Sequence, residues 1–147
     1  MNQRLRWEYD PGNKRFDHKW SRDQAGFRWS GKRLKGQCPA SITRTEGLAE
    51  KLLNDGVPDP ADTDSPDAFY NVYKGVVYRA EPTLHGVSYH GFPEKEEGKR
   101  RVPDSVLFEL ARRAKINGDF FQFKQWMQEH LPNGWKRVGP HLCSRLR

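Results

Sequence analysis

The sequence predicts an α+β domain: an antiparallel β meander at about 68–91 packed by a C-terminal helical hairpin, with an N-terminal β-rich basic segment. Two observations carry this. Residues 68–93, AFYNVYKGVVYRAEPTLHGVSYHGFP, hold the densest run of β-branched and aromatic residues, punctuated by glycine and alternating with period 2. From about residue 103 the apolar period changes to that of a helix. At 147 residues the chain supports one ordinary core, so residues 1–147 are expected to form a single domain. Its parts are a basic aromatic segment (1–36), an acidic helix plus the meander (37–98), a helical hairpin (99–131) and a basic tail (132–147).

Within the meander, strands are expected at 68–73, 76–81 and 86–91. Lys74-Gly75 serves as a two-residue hairpin loop. Pairing across it sets Phe69 opposite Ala80 and Asn71 opposite Tyr78. A four-residue link, Pro82–His85, then sets Ala80 opposite Val87. One face carries Phe69, Tyr73, Val76, Tyr78, Ala80, Val87 and Tyr89 and reads as core. The other carries Tyr70, Val72, Val77, Arg79, Glu81, Ser88 and His90, so local geometry gathers an arginine, a carboxylate and a histidine there.

Charge is uneven along the chain. Residues 1–36 carry ten Lys/Arg against four Asp/Glu (net +6) and residues 37–98 five against eleven (net −6). Residues 99–147 carry eleven against four (net +7), for an overall +7. Basic flanks suit a polyanion, because Lys and Arg release counterions condensed on phosphates. Arg100, Arg101, Arg112, Arg113, Lys32, Arg33 and Lys35 are the candidate nucleic-acid contacts. The competing reading is that the flanks pair with the acidic middle.

In order along the chain, Leu5, Trp7 and Tyr9 alternate with polar residues, as do Phe16, His18 and Trp20. A turn at Asp10–Asn13 would set Trp7 opposite Phe16 and Glu8 opposite Arg15. A third strand is expected near 27–30. These aromatics are either core or a stacking platform for bases. GKRLKGQ (31–37) reads as a glycine-bounded basic loop. Thr43 and Glu46 form a capping box that opens a helix over 43–55, with Gly56 after its end. VPDPADTDSPD (57–67) reads as an acidic loop lacking calcium-loop spacing. EKEEGKRR (94–101) reads as a solvated turn. Pro103-Asp104 open one helix, Asn117-Gly118 end it, and Asp119 caps a second whose stripe is Phe120, Phe123, Met127 and Leu131. That stripe suits core packing better than a DNA-reading helix. The tail 133–147 reads as basic and mobile after a Trp135 anchor.

Two cysteines exclude a disulfide framework, and no four-ligand zinc spacing occurs, so no metal and no cofactor are expected. No apolar stretch is long enough to span a bilayer, and the first ten residues hold no apolar signal region. The expectation is a cytoplasmic protein with no membrane partner.

Arg79, Glu81 and His90, with His85 at the loop mouth, are the residue types of metal-independent RNA cleavage. The roster resembles that of the small microbial ribonucleases, which set a Glu, an Arg and a His on one face of a twisted antiparallel sheet with a helix on the other. That resemblance implies cleavage to a 2′,3′-cyclic phosphate. The functional expectation is a small basic protein that binds nucleic acid, RNA above DNA, or nucleoprotein without catalysis. The alternatives are a toxin-like, metal-independent ribonuclease using the Glu-Arg-His site, and a protein-interaction module.

Overall fold

Lys74 and Gly75 both take positive φ (50° and 85°) and close a two-residue hairpin between β5 (Ala68–Tyr73) and β6 (Val76–Leu84), as the sequence predicts. The structure is a computed structural model and describes residues 7–10, 24–43 and 47–146. The predicted pairing of Trp7 with Phe16 and Glu8 with Arg15 lies outside them. The remaining elements are β1 (Glu8–Tyr9), β2 (Gly26–Ser30), β3 (Arg33–Gln37), α1 (Ala40–Thr43), α2 (Leu48–Asn54), β4 (Val57–Asp59), β7 (Ser88–Pro93), α3 (Asp104–Ile116), α4 (Phe120–His130), α5 (Pro132–Val138) and α6 (Leu142–Arg145). A five-stranded sheet runs β1-β7-β6-β5-β4, and β2–β3 form a separate antiparallel pair. The fold is α+β. Its contacts cluster into two compact units, one comprising the chain up to Asn71 with Arg79–Pro93, the other Val72–Tyr78 with the chain from Glu94 onward.

The first unit is built on Leu53, Phe69, Ala80 and Tyr89, with half-buried Trp7 and Tyr9 packed against them. Trp7 meets Phe69 at 4.6 Å between ring centroids, and Phe69 meets Tyr89 edge-on at 5.0 Å. Asn54 fastens β1 to α2: its Oδ1 accepts from Trp7 N, and its Nδ2 donates to Trp7 O and Glu50 O. β1 then lies parallel to β7, with Glu8 beside Ser88 and Tyr9 beside Tyr89. No sequence signal pointed to that pairing.

β6 extends to Leu84 and β7 starts at Ser88, so the link is His85–Val87, not Pro82–His85. Thr83 and Leu84 continue the extended strand, and Gly86, at φ 79°, takes the turn. The hydrogen bonds Val87 N to Leu84 O and Glu94 N to Val77 O set Ala80 opposite Gly91 and Glu81 opposite His90. The register therefore slips four residues from the expected one. An even slip keeps Tyr89 and His90 on their predicted faces. The expected core face holds only in part: Val87 falls in the turn and is exposed, Tyr73, Val76 and Tyr78 are half-buried, and Tyr70, Val72 and Val77 of the other face are buried.

Other segments depart further. Residues 33–37 are a strand, not a loop, paired in register from Gly26↔Gln37 to Ser30↔Arg33. Thr43 ends the short α1, and Gly47, at φ 76°, precedes α2, so no continuous 43–55 helix forms. Part of the acidic segment, Val57–Asp59, pairs with β5.

In the second unit α3 buries Val106, Leu107, Leu110, Ala111 and Ala114, and α4 buries Phe123, Trp126 and Met127. Each large side chain contributes roughly 1.5–3 kcal/mol. Within 94–101 a solvated turn forms at Gly98-Lys99, closed by a Glu97–Arg100 bridge, but the segment's start is buried: Glu94 is 1% exposed and its carbonyl accepts from Trp126 Nε1. The tail is not mobile coil: α5, a 3₁₀ turn (Gly139–His141) and α6 carry it, with Val138 and Leu142 buried.

The helical hairpin packs on the tip of the β5–β6 hairpin at Gly75. A Cβ there would press on the Gln122 side chain and lie 2.7 Å from Phe123 N, at a φ unfavourable to L-residues. Gly75→Ala is therefore expected to destabilise the protein by more than about 1 kcal/mol. A urea melt matching wild type would contradict this packing.

Candidate functional site

The second face of the meander assembles its site from neighbours across strands. Arg79 on β6 lies across from Tyr70 on β5 and donates from Nη1 to the Tyr70 hydroxyl. Its Nε donates to Glu81 Oε1 at 2.9 Å, two residues along the same face. The Arg79 side chain is 13% exposed and that of Glu81 34%, so the guanidinium is held from below while the carboxylate reaches solvent. His90 stands across from Glu81 on β7. Arg79, Glu81 and His90 thus share the face that the sequence predicts.

Thr83 adds a connection. Its Oγ1 donates to Asp10 Oδ2 at 3.0 Å and lies 2.9 Å from His90 Nδ1. A threonine hydroxyl has one hydrogen. With that hydrogen on Asp10, His90 Nδ1 must donate to Thr83, and the neutral ring carries its lone pair on Nε2. Asp10 arrives through β1, where Asp10 N donates to Tyr89 O at 2.7 Å. Sequence reasoning missed both residues: it placed Thr83 in a loop, and Asp10, 73 positions from Thr83, is brought in by the parallel β1–β7 pairing, which leaves no local trace. His85 goes elsewhere: it sits on the β6–β7 turn with Nε2 3.3 Å from Asp67 Oδ1, both side chains exposed.

The candidate nucleic-acid contacts divide. Arg112 donates to Glu109 through Nε (2.9 Å) and Nη2 (2.6 Å), and Arg113 Nε donates to Glu109 at 3.1 Å. Arg100 is tied to the buried Glu94 at 2.6 Å. Arg101 is exposed, as is Lys32 at the β2–β3 turn, while Lys35 is half-buried across from Arg28. Arg33 lies in β3 across from Ser30. A uniform polycationic surface is thereby broken up on α3.

The Arg112 and Arg113 hydrogen bonds hold the Glu109 carboxyl down from 4.5 to about 2. Because the folded value lies below the unfolded one, the ionised cluster stabilises α3 above about pH 4.5 and fades as pH falls towards 2. Glu109→Gln should cost less than about 1 kcal/mol at neutral pH, as partly exposed pairs do. Urea melts of the two proteins should converge at acid pH; a gap that persists unchanged there rules out the assignment.

Among the described residues no group of three or more His, Cys, Asp or Glu is placed to hold a metal ion, and no helix is long and apolar enough to cross a membrane. No protein-family model, curated protein or solved structure matches the chain.

Proposed function

We propose that the chain cleaves RNA by metal-independent transesterification on the Arg79–Glu81–His90 face. The observation that carries this reading is the placing of Glu81 between Arg79, its ion-pair partner, and His90, its cross-strand neighbour. In the reaction Glu81 accepts the proton of a ribose 2′-hydroxyl, and the 2′-oxygen attacks the adjacent phosphorus. Arg79 donates to the non-bridging oxygens as charge builds on them. Protonated His90 gives its Nε2 proton to the departing 5′-oxygen. The products are a 2′,3′-cyclic phosphate and a 5′-hydroxyl, with the proton balance reset through water. Tyr70 and Thr83 are positioning residues, since each acts by fixing another side chain.

The test is incubation with mixed RNA in EDTA, with analysis of the product ends. A 2′,3′-cyclic phosphate supports the reading, and intact RNA, or 5′-phosphate ends, overturns it. Non-catalytic binding of RNA is the second reading, favoured by the exposed Trp29 and Lys32 of the β2–β3 hairpin. Glu81→Gln separates the two: it abolishes cleavage yet leaves binding unchanged or tighter, because a carboxylate that repels phosphate is gone.

A further inference from the structure

We propose that the β2–β3 hairpin is a binding arm for single-stranded RNA, with Trp29 stacking on one base and Lys32 contacting an adjacent phosphate. The inference rests on the RNA reading above and adds to it the strand form and the residues that grip it.

Trp29 is 68% exposed, whereas Trp7 packs on Phe69 and Trp126 is 8% exposed with its Nε1 hydrogen-bonded to Glu94 O. Its indole thus contributes little to packing. The arm is nonetheless well built. All five residues of β2 pair with β3, and Gly31, at φ 64°, and Lys32 close it in two residues. The backbone under Trp29 is therefore fixed, and stacking orders only two side-chain torsions.

Two anchors seat the root of the arm on β7, the strand that carries His90. Gly36 lies so close to Pro93 that an added Cβ would be 2.9 Å from Pro93 O. Cys38 Sγ donates to Gly91 O at 3.5 Å, one residue from His90. A strand held by the arm is thus led toward the proposed site.

The chemistry selects the occupant. Trp29 faces the same way as Leu34, its cross-strand partner, while Arg28 and Lys35 pair on the opposite face. Lys32 is three residues from Trp29, within about 10 Å along the chain. An exposed indole with the exposed cation Lys32 three residues along suits a flexible polyanion carrying flat apolar groups. Duplex RNA hides its base faces in its own stack, so it gains only the charge term. Stacking accepts any base, so no strong sequence preference follows.

The experiment measures Kd for fluorescein-labelled oligouridylate and for an RNA hairpin duplex, using His90→Ala as a background that binds without turnover. Trp29→Ala should weaken oligouridylate binding on the order of tenfold and leave duplex binding within about twofold. Trp29→Phe should retain most of the affinity, and Lys32→Glu should weaken both ligands with a shallower salt dependence. Equal affinities of Trp29→Ala and its background, equal losses on both ligands, or no oligouridylate binding at low salt would each overturn the proposal. Cleavage is scored separately on the His90 protein, so cyclic-phosphate formation indifferent to Trp29 removes the arm and spares the site. Binding that needs Trp29 without any cleavage does the reverse.

Discussion

His90→Ala is expected to cut RNA cleavage by about 10²–10⁴-fold while leaving the thermal midpoint close to that of wild type. The ring is half-buried, and its partners include the Thr83 hydroxyl and a tilted contact with Phe92 at 6.3 Å. Neither belongs to the Leu53–Phe69–Ala80–Tyr89 core. Glu81→Gln should lose activity to a similar extent, and the double variant should lose little more, since the two groups act in one transition state. The pH–rate profile should be bell-shaped, requiring an ionised carboxylate and a protonated imidazole. Thr83→Val tests the relay from Asp10. Without the hydroxyl, His90 Nδ1 no longer has the acceptor that fixes its tautomer, so kcat should fall with KM little changed and the basic limb of the profile should move. Wild-type kcat in His90→Ala would eliminate the proposed mechanism. An unmoved profile in Thr83→Val would remove Asp10 and Thr83 from it.

How far this site could be read from sequence depends on how local each contact is. Arg79 and Glu81 are two apart on one strand, and Tyr70 faces Arg79 across a two-residue turn, so strand alternation and turn chemistry suffice. His90 required a loop length, and the expected loop was wrong. Thr83 and Leu84 extend β6, but the error was even, so the face survived. Asp10 lay beyond reach, because a parallel pairing has no turn to announce it. β3 was obscured for a different reason. RLKGQ has one apolar residue and a glycine, and its pairing relies on backbone bonds and on Gly36 fitting against Pro93. α3 and α4 were legible because their buried residues recur at helical spacing over three turns. The basic surface was not, since counting charges does not reveal that Glu109 holds two arginines and Glu94 a third.

Arg100→Met should destabilise the protein by about 3–5 kcal/mol, the largest effect expected of any charge removal here. The Glu94 side chain is 2% exposed, and its Oε1 accepts from Arg100 Nη2 at 2.6 Å and from Lys95 N at 3.0 Å. The backbone of the same residue donates to Val77 O and accepts from Trp126 Nε1, so Glu94 cannot swing out to water without breaking those links. Without Arg100 the buried carboxylate loses the cation 2.6 Å from its Oε1. Loss of that neighbouring cation raises the carboxyl's folded-state pKa relative to the parent protein. A raised carboxyl binds its proton more tightly in the folded state. The added instability is therefore smallest at acid pH and grows as pH rises towards neutrality. Glu94→Leu combined with Arg100→Met should recover most of the loss, because it removes the stranded charge as well as its partner. Urea melts across that pH range give the answer, with m unchanged if only stability has moved. A neutral-pH loss below about 1 kcal/mol, or one independent of pH, would show that the pair is not buried as described. The same result decides how RNA binding by this segment is probed. A charge reversal at Arg100 would lower affinity by unfolding, whereas Arg101, exposed on the next position, reports on phosphate contact alone.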